Sequence, residues 1–306
     1  MNIEKLKIKA EKGNLKAIRE LGKIYYYGDH KKGTPAQGIK PKDPKKAFKW
    51  WQIGASKGDA DCLTYLGFCY HMGDGTVKNN FEAKKCWQLA SKKESSGASY
   101  NLGVFYENGW AVRKDGKVAL TYYKKNINKK NIKKKNPYYN ESLKGIARIY
   151  INGKGGVKID NKEGIKHYKL AAKSGDVRAI FELANMYDKK YSFERYNGIK
   201  KDSNLAYKYY EQLSKKDFTY GHILLGEKLT DKIIENNYYT KKDLRLLKII
   251  KFKITNVFSE FTAWSTMHGL KRMGFPRDVT LGLEKKLNKM ISNIKKKIVK
   301  INETIL

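Results

Sequence analysis

One spacing recurs along this chain of 306 residues and restricts it to a repeated architecture. A leucine–glycine pair followed by a tyrosine occurs at Leu66-Gly67 with Tyr70 and again, 36 residues later, at Leu102-Gly103 with Tyr106. Such a period is typical of solenoids, in which each repeat buries its apolar side against the next. Related copies are Leu21-Gly22 with Tyr25, Ile146-Ala147 with Tyr150, Leu183-Ala184 with Tyr187 and, more weakly, Leu225-Gly226.

A second landmark is a small residue followed four positions later by an aromatic residue. Residues four apart share one side of an α-helix, so each copy indicates a helix with a small and a large residue on its buried side. The copies are Ala47/Trp51, Ala83/Trp87, Ala119/Tyr123, Gly164/Tyr168 and Ala206/Tyr210.

Together the landmarks predict a unit made of helix A, a glycine-rich turn and helix B. In the clearest copy, Asp59 is placed to cap helix A, and Gly73 can adopt the left-handed conformation that ends it. Helix B is expected over about 81–90. A glycine inside a helix costs about 1 kcal/mol relative to alanine, so Gly67 indicates a close approach, with Trp87 filling the adjacent space.

These segments resemble the Sel1-like repeat, a relative of the tetratricopeptide repeat, over roughly residues 10–215. The resemblance implies an all-α fold: a right-handed superhelical solenoid of antiparallel helix pairs, about six units plus a C-terminal helical cap. It also implies adaptor work for other proteins in a groove lined by helix A. The segments that carry it are Gly58-Asp59-Ala60, Tyr65-Leu66-Gly67-Phe68-Cys69-Tyr70, Gly73-Asp74-Gly75-Thr76-Val77, Tyr100-Asn101-Leu102-Gly103 and Ala171-Ala172-Lys173-Ser174-Gly175-Asp176.

The pattern decays after Leu213. We therefore predict a repeat array of about five units over 1–215, some with inserted loops, and a divergent repeat with a Lys-rich helical cap over 216–306. Terminal repeats of a solenoid need a polar outer side, which favours an atypical cap.

The net charge is +35, from 65 Lys+Arg against 30 Asp+Glu. Only eight of the basic residues are Arg. Because Lys lacks the planar fork that reads guanine edges, base-specific recognition of nucleic acid is not expected. Two explanations of the charge stay open: the composition of an adenine- and thymine-rich genome, or a surface that attracts an anionic partner.

The main functional prediction is a non-enzymatic scaffold that binds a protein partner, expected to be acidic, whose identity the sequence does not give. The binding residues would be exposed polar and aromatic side chains on helix A. The candidates are Lys16, Arg19, Lys23 and Tyr26 in the first unit and Asp61, Thr64 and Tyr65 in the second.

The alternative is a polyanion-binding protein that uses the Lys-rich segment 117–135 and the C-terminal helix to contact nucleic acid or an anionic membrane. Lysines beside tyrosines suit a phosphate backbone with bases stacked on rings. A solvated loop between repeats is the competing interpretation. The candidate residues are Lys124, Lys125, Lys129, Lys130, Lys133, Lys134 and Lys135.

No hydrolase, Walker-type or His-Glu-x-x-His motif is present in the sequence, which favours a protein without catalysis, cofactor or metal. The three cysteines, Cys62, Cys69 and Cys86, lack zinc-site spacing and fit buried free thiols in a reducing compartment. No apolar run approaches the roughly 18 residues of a membrane span, and the N-terminus lacks an apolar signal core. We therefore expect a cytoplasmic protein, with delivery into a host cell left open.

Overall fold

The computed structural model describes residues 3–28, 42–128, 136–189, 196 and 198–216, together with positions 225, 226, 228, 229, 243, 296 and 299. The regular elements among these residues are α-helices and short 3-10 turns such as Lys154–Gly156, and no described residue lies in a β-strand. The all-α prediction is confirmed. The helices are α1 Ile3–Glu11, α2 Leu15–Tyr27, α3 Pro44–Ser56, α4 Ala60–Met72, α5 Asn80–Lys92, α6 Ser96–Asn108, α7 Gly116–Lys125, α8 Tyr139–Asn152, α9 Asn161–Lys173, α10 Val177–Tyr187 and α11 Ser203–Lys215.

The helices after α1 alternate as helix A and helix B, as the two sequence landmarks predict. In the second unit, the backbone N–H of Asn79 donates to the carbonyl of Tyr70 beside the turn, and the indole of Trp87 donates to the carbonyl of Thr64 further along. As the residue number rises from Asn79 to Trp87, that of the partner falls from Tyr70 to Thr64, so α4 and α5 are antiparallel. Helix B spans Asn80–Lys92, slightly longer than the predicted 81–90.

Side chains that cap the helix starts recur at equivalent positions of the repeats. Asp59 accepts a hydrogen bond of 2.8 Å from the backbone N–H of Cys62, satisfying a donor that has no partner within the helix. Asp115 caps α7 in the same way, and Gly73 ends α4 in the left-handed conformation, both as expected for these residue types. The other side chains that accept at helix starts are Asn14, Asp43, Asn79, Ser95, Asp160, Asp176 and Asp202.

The small residues of helix A lie directly against the large rings of helix B. A β-carbon built on Gly67 would lie 2.5 Å from Nε1 of Trp87, and one on Gly103 would lie 2.5 Å from the ring of Tyr123. Gly22 meets Trp51 in the same way. The rings of Trp51, Trp87 and Tyr123 are at most 2% exposed, so the predicted packing of small against large residues is confirmed.

Tyr123 also contacts the next repeat. The opposite edge of its ring lies 2.6 Å from the place of a β-carbon on Gly145, in α8. Its hydroxyl donates to Glu107 at 2.7 Å, and Arg148 of α8 donates to the same carboxylate at 2.9 and 3.0 Å. This buried cluster therefore joins the third unit to the fourth.

The chain divides into two compact units, 1–164 and 165–306. The first contains α1 to α8 and the start of α9. In the second, Asp188 accepts a hydrogen bond of 2.9 Å from Tyr210 and pairs with Lys228 at 2.8 Å. The predicted sixth repeat and helical cap fall almost entirely outside the described residues, and the array-and-cap division at 215 stays a prediction. Within the described ranges, every helix is too short or too polar to cross a lipid bilayer.

Candidate functional site

The A helices of the first three repeats lie side by side and expose one surface. We call it the A face: the exposed and partly exposed side chains of α2, α4 and α6. The rings of Tyr26 on α2 and Phe68 on α4 are 6.1 Å apart. Tyr100 on α6 stacks at 5.4 Å on Tyr138, which precedes α8. The A face is therefore a row of aromatic side chains carried by rigid helices.

The predicted partner-binding residues of α2 lie on this face. Arg19 pairs with the Asp59 carboxylate at 2.9 Å and with Asp61 at 3.4 Å. Lys23 pairs with Glu20 at 3.0 Å and lies 6.0 Å from the centre of the Tyr65 ring. These contacts bring residues predicted from two different repeats into one cluster.

Two further candidates of α2 take different positions. Lys16 is exposed to solvent at the start of the helix. The hydroxyl of Tyr26 donates to the carboxylate of Asp74, in the turn after α4. Burial first, and then this hydrogen bond, raises the pKa of Tyr26, so its hydroxyl stays protonated at physiological pH.

The α4 candidates do not share one environment. Asp61 is exposed. Tyr65 is half-buried and stacks on Trp51 at 4.7 Å, and burial raises the pKa of its hydroxyl to about 12. Thr64 is buried, and its hydroxyl bonds to the Ala60 carbonyl and to the Ser95 hydroxyl, both at 2.8 Å. The expectation that Thr64 is exposed is wrong, because the next repeat covers it.

Sequence reasoning missed the third-unit part of the A face. Tyr100 and Asn101 are both partly exposed and lie 36 residues after Thr64 and Tyr65. The repeat period was therefore a signal that could have found them. Phe68 is part of the repeat motif and not one of the predicted binding residues, although the structure leaves it partly exposed beside Tyr26.

The charge of the A face is low for so basic a chain. Helices α4 and α6 contain no Lys or Arg, and their acidic residues are Asp61 and Glu107. Glu107 is 3% exposed and does not contribute to the surface. Basic side chains on the A face therefore come from α2.

The polyanion candidates are only partly within the described residues. Lys124 and Lys125 are exposed, and Lys125 lies 3.3 Å from the Ser91 hydroxyl and 5.1 Å from the centre of the Tyr122 ring. Tyr123 is buried and Tyr122 stacks on Tyr106, so internal packing already engages both rings. Lys129, Lys130, Lys133, Lys134 and Lys135 lie outside the described residues.

Buried ionisable groups have structural partners. Burial alone would raise the pKa of Glu107, but the ion pairs with Arg148 and Lys154 outweigh it and lower the pKa to about 2. Cys62, Cys69 and Cys86 are free and buried, as predicted, and burial raises the pKa of Cys69 to about 12. Across the described residues, no group of three or more His, Cys, Asp or Glu side chains is arranged to hold a metal ion.

Comparisons with known proteins agree with the division of the described helices into repeats of one helix A and one helix B. The family model of the Sel1 repeat matches residues 15–59, 60–95, 96–126, 141–176 and 177–218. A crystal structure of a Sel1 repeat protein from Oxalobacter formigenes has a TM-score of 0.54 and 24% identity, covering 78% of this chain and 85% of that chain. This likeness shows the solenoid fold.

Two curated relatives share shorter stretches. The chain is 33% identical over 111 residues to the ERAD-associated E3 ubiquitin-protein ligase component HRD3B of Arabidopsis thaliana, covering 36% of this chain and 16% of that protein. It is 28% identical over 149 residues to chitin synthase regulatory factor 3 of Schizosaccharomyces pombe, covering 48% of this chain and 15% of that protein. The chain thus spans a small part of either relative.

Proposed function

The chain belongs to the Sel1 repeat family, whose members are generally adaptors in protein interactions, and on that premise we propose that it is a non-enzymatic adaptor that binds a protein partner on the A face. The observation that carries the proposal is the row of Tyr26, Tyr65, Phe68 and Tyr100, presented part-exposed by three packed helices. Aromatic side chains held rigidly supply large contact area at low cost in conformational entropy.

The low charge of the A face restricts the charge of the partner segment that we propose. A segment lying over α4 and α6 meets tyrosine rings, Asn101 and Val104, and these two helices carry no Lys or Arg. The cations beside Asp61 and Tyr65 are Arg19 and Lys23 of α2, which already pair with acidic residues. We propose a partner segment that is uncharged over these helices. We expect the acidic residues of the partner to lie at the end of the segment that reaches Lys16 on α2.

The packing behind the A face supports a pre-formed docking surface. Tyr65 is backed by Trp51, and Tyr100 is backed by Tyr138 and lies 5.9 Å from Tyr123. Because these rings are fixed before binding, the partner meets a surface that has already lost its conformational freedom.

Photo-crosslinking tests the proposal directly. A photoreactive phenylalanine analogue is placed at Tyr100 on the A face and, as a matched control, at Phe81 on α5, which is 65% exposed. Each variant of the 306-residue chain is irradiated in lysate of the cells in which the protein occurs, after nuclease treatment. We expect the same defined protein to crosslink from Tyr100 and not from Phe81.

The captured protein is then measured against Tyr65→Ser and Tyr100→Ser variants by calorimetry. Loss of an interface tyrosine is expected to weaken binding by about 1–2 kcal/mol, whereas Leu89→Ser on α5 leaves it unchanged. Crosslinks from Phe81 alone, or unchanged affinity in both tyrosine variants, would refute the A face as the docking surface.

A further inference from the structure

The B helices of the first compact unit expose a second ordered surface. Each has a row of side chains spaced by four residues, which places the row on one side of its helix. The residues of all three rows are exposed to solvent. We call this surface the B face: Lys45, Lys49 and Ile53 on α3; Phe81, Lys85 and Leu89 on α5; and Lys117, Thr121 and Lys125 on α7.

Contacts between neighbouring repeats place the three rows beside one another. The ammonium group of Lys125 on α7 lies 3.3 Å from the hydroxyl of Ser91 on α5. The ammonium group of Lys93, just after α5, lies 3.3 Å from the place of a β-carbon on Gly58, just after α3. The B face therefore extends across three repeats.

Positive charge is concentrated on the B helices. Helices α3, α5 and α7 carry nine Lys and one acidic residue, Glu82, which is 4.0 Å from Lys85. The A helices α2, α4, α6 and α8 together carry five basic and four acidic residues, and α4 and α6 among them carry no Lys or Arg. A genome-wide bias in composition would add Lys to solvated positions of both helix types. The segregation therefore favours a surface that attracts an anionic partner.

Large apolar side chains stand among these lysines. Phe81 is 65% exposed, Leu89 45% and Ile53 41%. In the neighbouring repeats the position of Phe81 holds Lys45 and Lys117, so the second repeat has a ring where the others have a charge. Burying these side chains would be favourable, by about 25 cal/mol per Å² of apolar surface removed from water.

We propose that the B face binds the surface of a lipid bilayer rich in anionic lipids. Apolar side chains on a basic face enter the boundary between headgroups and acyl chains, while lysines are attracted by the negative surface potential. Binding there leaves the A face open.

Nucleic acid fits this surface less well. Helices α3, α5 and α7 contain no Arg, and Ile53 and Leu89 offer no ring on which a base could stack. Phe81 is the ring within the rows, and the rings of Trp51, Trp87 and Tyr123 on the same helices are buried. Trp50 and Tyr122 are partly exposed but lie outside the rows, and Tyr122 stacks on Tyr106.

Vesicle co-sedimentation of the full chain tests the proposal, with phosphatidylcholine vesicles compared with vesicles that also contain phosphatidylserine. We expect binding to the anionic vesicles and little to the neutral ones. A triple variant, Lys45→Ala, Lys49→Ala and Lys85→Ala, should lose roughly 100-fold in affinity for anionic vesicles. Phe81→Ser should lose roughly tenfold, because its apolar contribution is removed.

Matched controls separate a defined face from net charge. Lys5→Ala, Lys9→Ala and Lys12→Ala remove the same charge from exposed positions in and just after α1, and Ile8→Ser removes an exposed apolar side chain there. Both controls should keep wild-type binding, and circular dichroism confirms that all variants fold. Equal losses in the control set, equal binding to both vesicle types, or no vesicle binding would overturn the proposal. Binding of a single-stranded RNA oligonucleotide that depends on the B-face lysines, without vesicle binding, would assign the face to nucleic acid instead.

Discussion

The carboxylate of Glu107 on α6 accepts a hydrogen bond of 2.7 Å from the hydroxyl of Tyr123 on α7. The equivalent pair in the fifth repeat, Asp188 and Tyr210, is bonded at 2.9 Å. Where helix B carries a tryptophan, the position of the acid holds a ring instead: Tyr26 lies 5.5 Å from Trp51, and His71 lies 5.8 Å from Trp87. The fourth repeat departs from both patterns, with Ile151 at this position.

Removing the Tyr123 hydroxyl should weaken the third repeat. Tyr123→Phe keeps the ring between its two glycines but deletes a hydrogen bond to a buried charge, so we expect a loss of about 1.5 kcal/mol in the free energy of unfolding. Urea denaturation followed by circular dichroism measures it. Tyr122→Phe on the partly exposed neighbouring ring is the control and should be neutral. An equal effect of both substitutions would contradict the role assigned to the Glu107 bond.

Acid should destabilise the protein partly through Glu107. Its pKa is about 2 in the folded chain and 4.5 ordinarily, so the unfolded chain binds its proton first as pH falls. The stabilisation is complete above pH 4.5 and is lost between about pH 4.5 and 2, by about 3 kcal/mol. Urea midpoints measured across this range should fall less steeply for Glu107→Gln than for the wild type. Parallel curves would show that Glu107 does not titrate as described.

The Gly67 and Trp87 pair should show strong coupling. Trp87→Ala leaves a cavity and is expected to cost about 3–5 kcal/mol, while Gly67→Ala forces the indole to move and costs about 1–3 kcal/mol. In the double variant the added methyl group enters space that the indole has left, so the combined loss should be smaller than the sum. Denaturant unfolding of all four proteins gives the coupling energy. Additive losses would mean that the two residues do not share this space.

Equivalent left-handed positions should respond with opposite signs. Gly58 has φ +77° and Glu94, one repeat later, has φ +61°. A side chain in this conformation costs about 1–2 kcal/mol, so Gly58→Ala should destabilise the protein by about that amount. Glu94→Gly relieves the strain and should stabilise it by up to about 1 kcal/mol. Melting temperatures of the two variants check the signs, and a loss in both would refute this account.

The buried thiols should not react with labelling reagents until the protein unfolds. Burial raises the pKa of Cys69 to about 12 and that of Cys86 to about 11, so the reactive thiolate is scarce at neutral pH and sterically covered. We expect labelling by a disulfide reagent to be slow in buffer and to accelerate with urea. Lys49→Cys adds an exposed thiol as the control and should react at once. Rapid native labelling of the wild type would show that the core around α4 and α5 is open.

The sequence was informative wherever a structural partner lies within one repeat. The packing of Gly67 against Trp87 and the cap at Asp59 follow from local spacing and were predicted. Thr64 was misplaced because the Ser95 side chain, which caps the first helix of the next repeat, covers it. A helix between two neighbours buries a wider arc than the one-sided pattern of its own sequence indicates.

The buried ion pair shows the same limit. Glu107 and Arg148 are 41 positions apart and meet only because α6 and α8 pack together. No periodicity within either repeat distinguishes Glu107 from an exposed carboxylate. The charge difference between A and B helices was readable in the sequence, but its meaning required knowing which sides of the helices face solvent.

Tyr123 is held by glycines from two repeats, Gly103 before it and Gly145 after it. The packing around the Tyr123 ring is therefore complete only when the following repeat is present. A fragment that stops at residue 126, where the family match of the third repeat ends, would expose one edge of the ring and leave Glu107 without Arg148. The unit of packing around Tyr123 is consequently out of phase with the segment that repeats in the sequence.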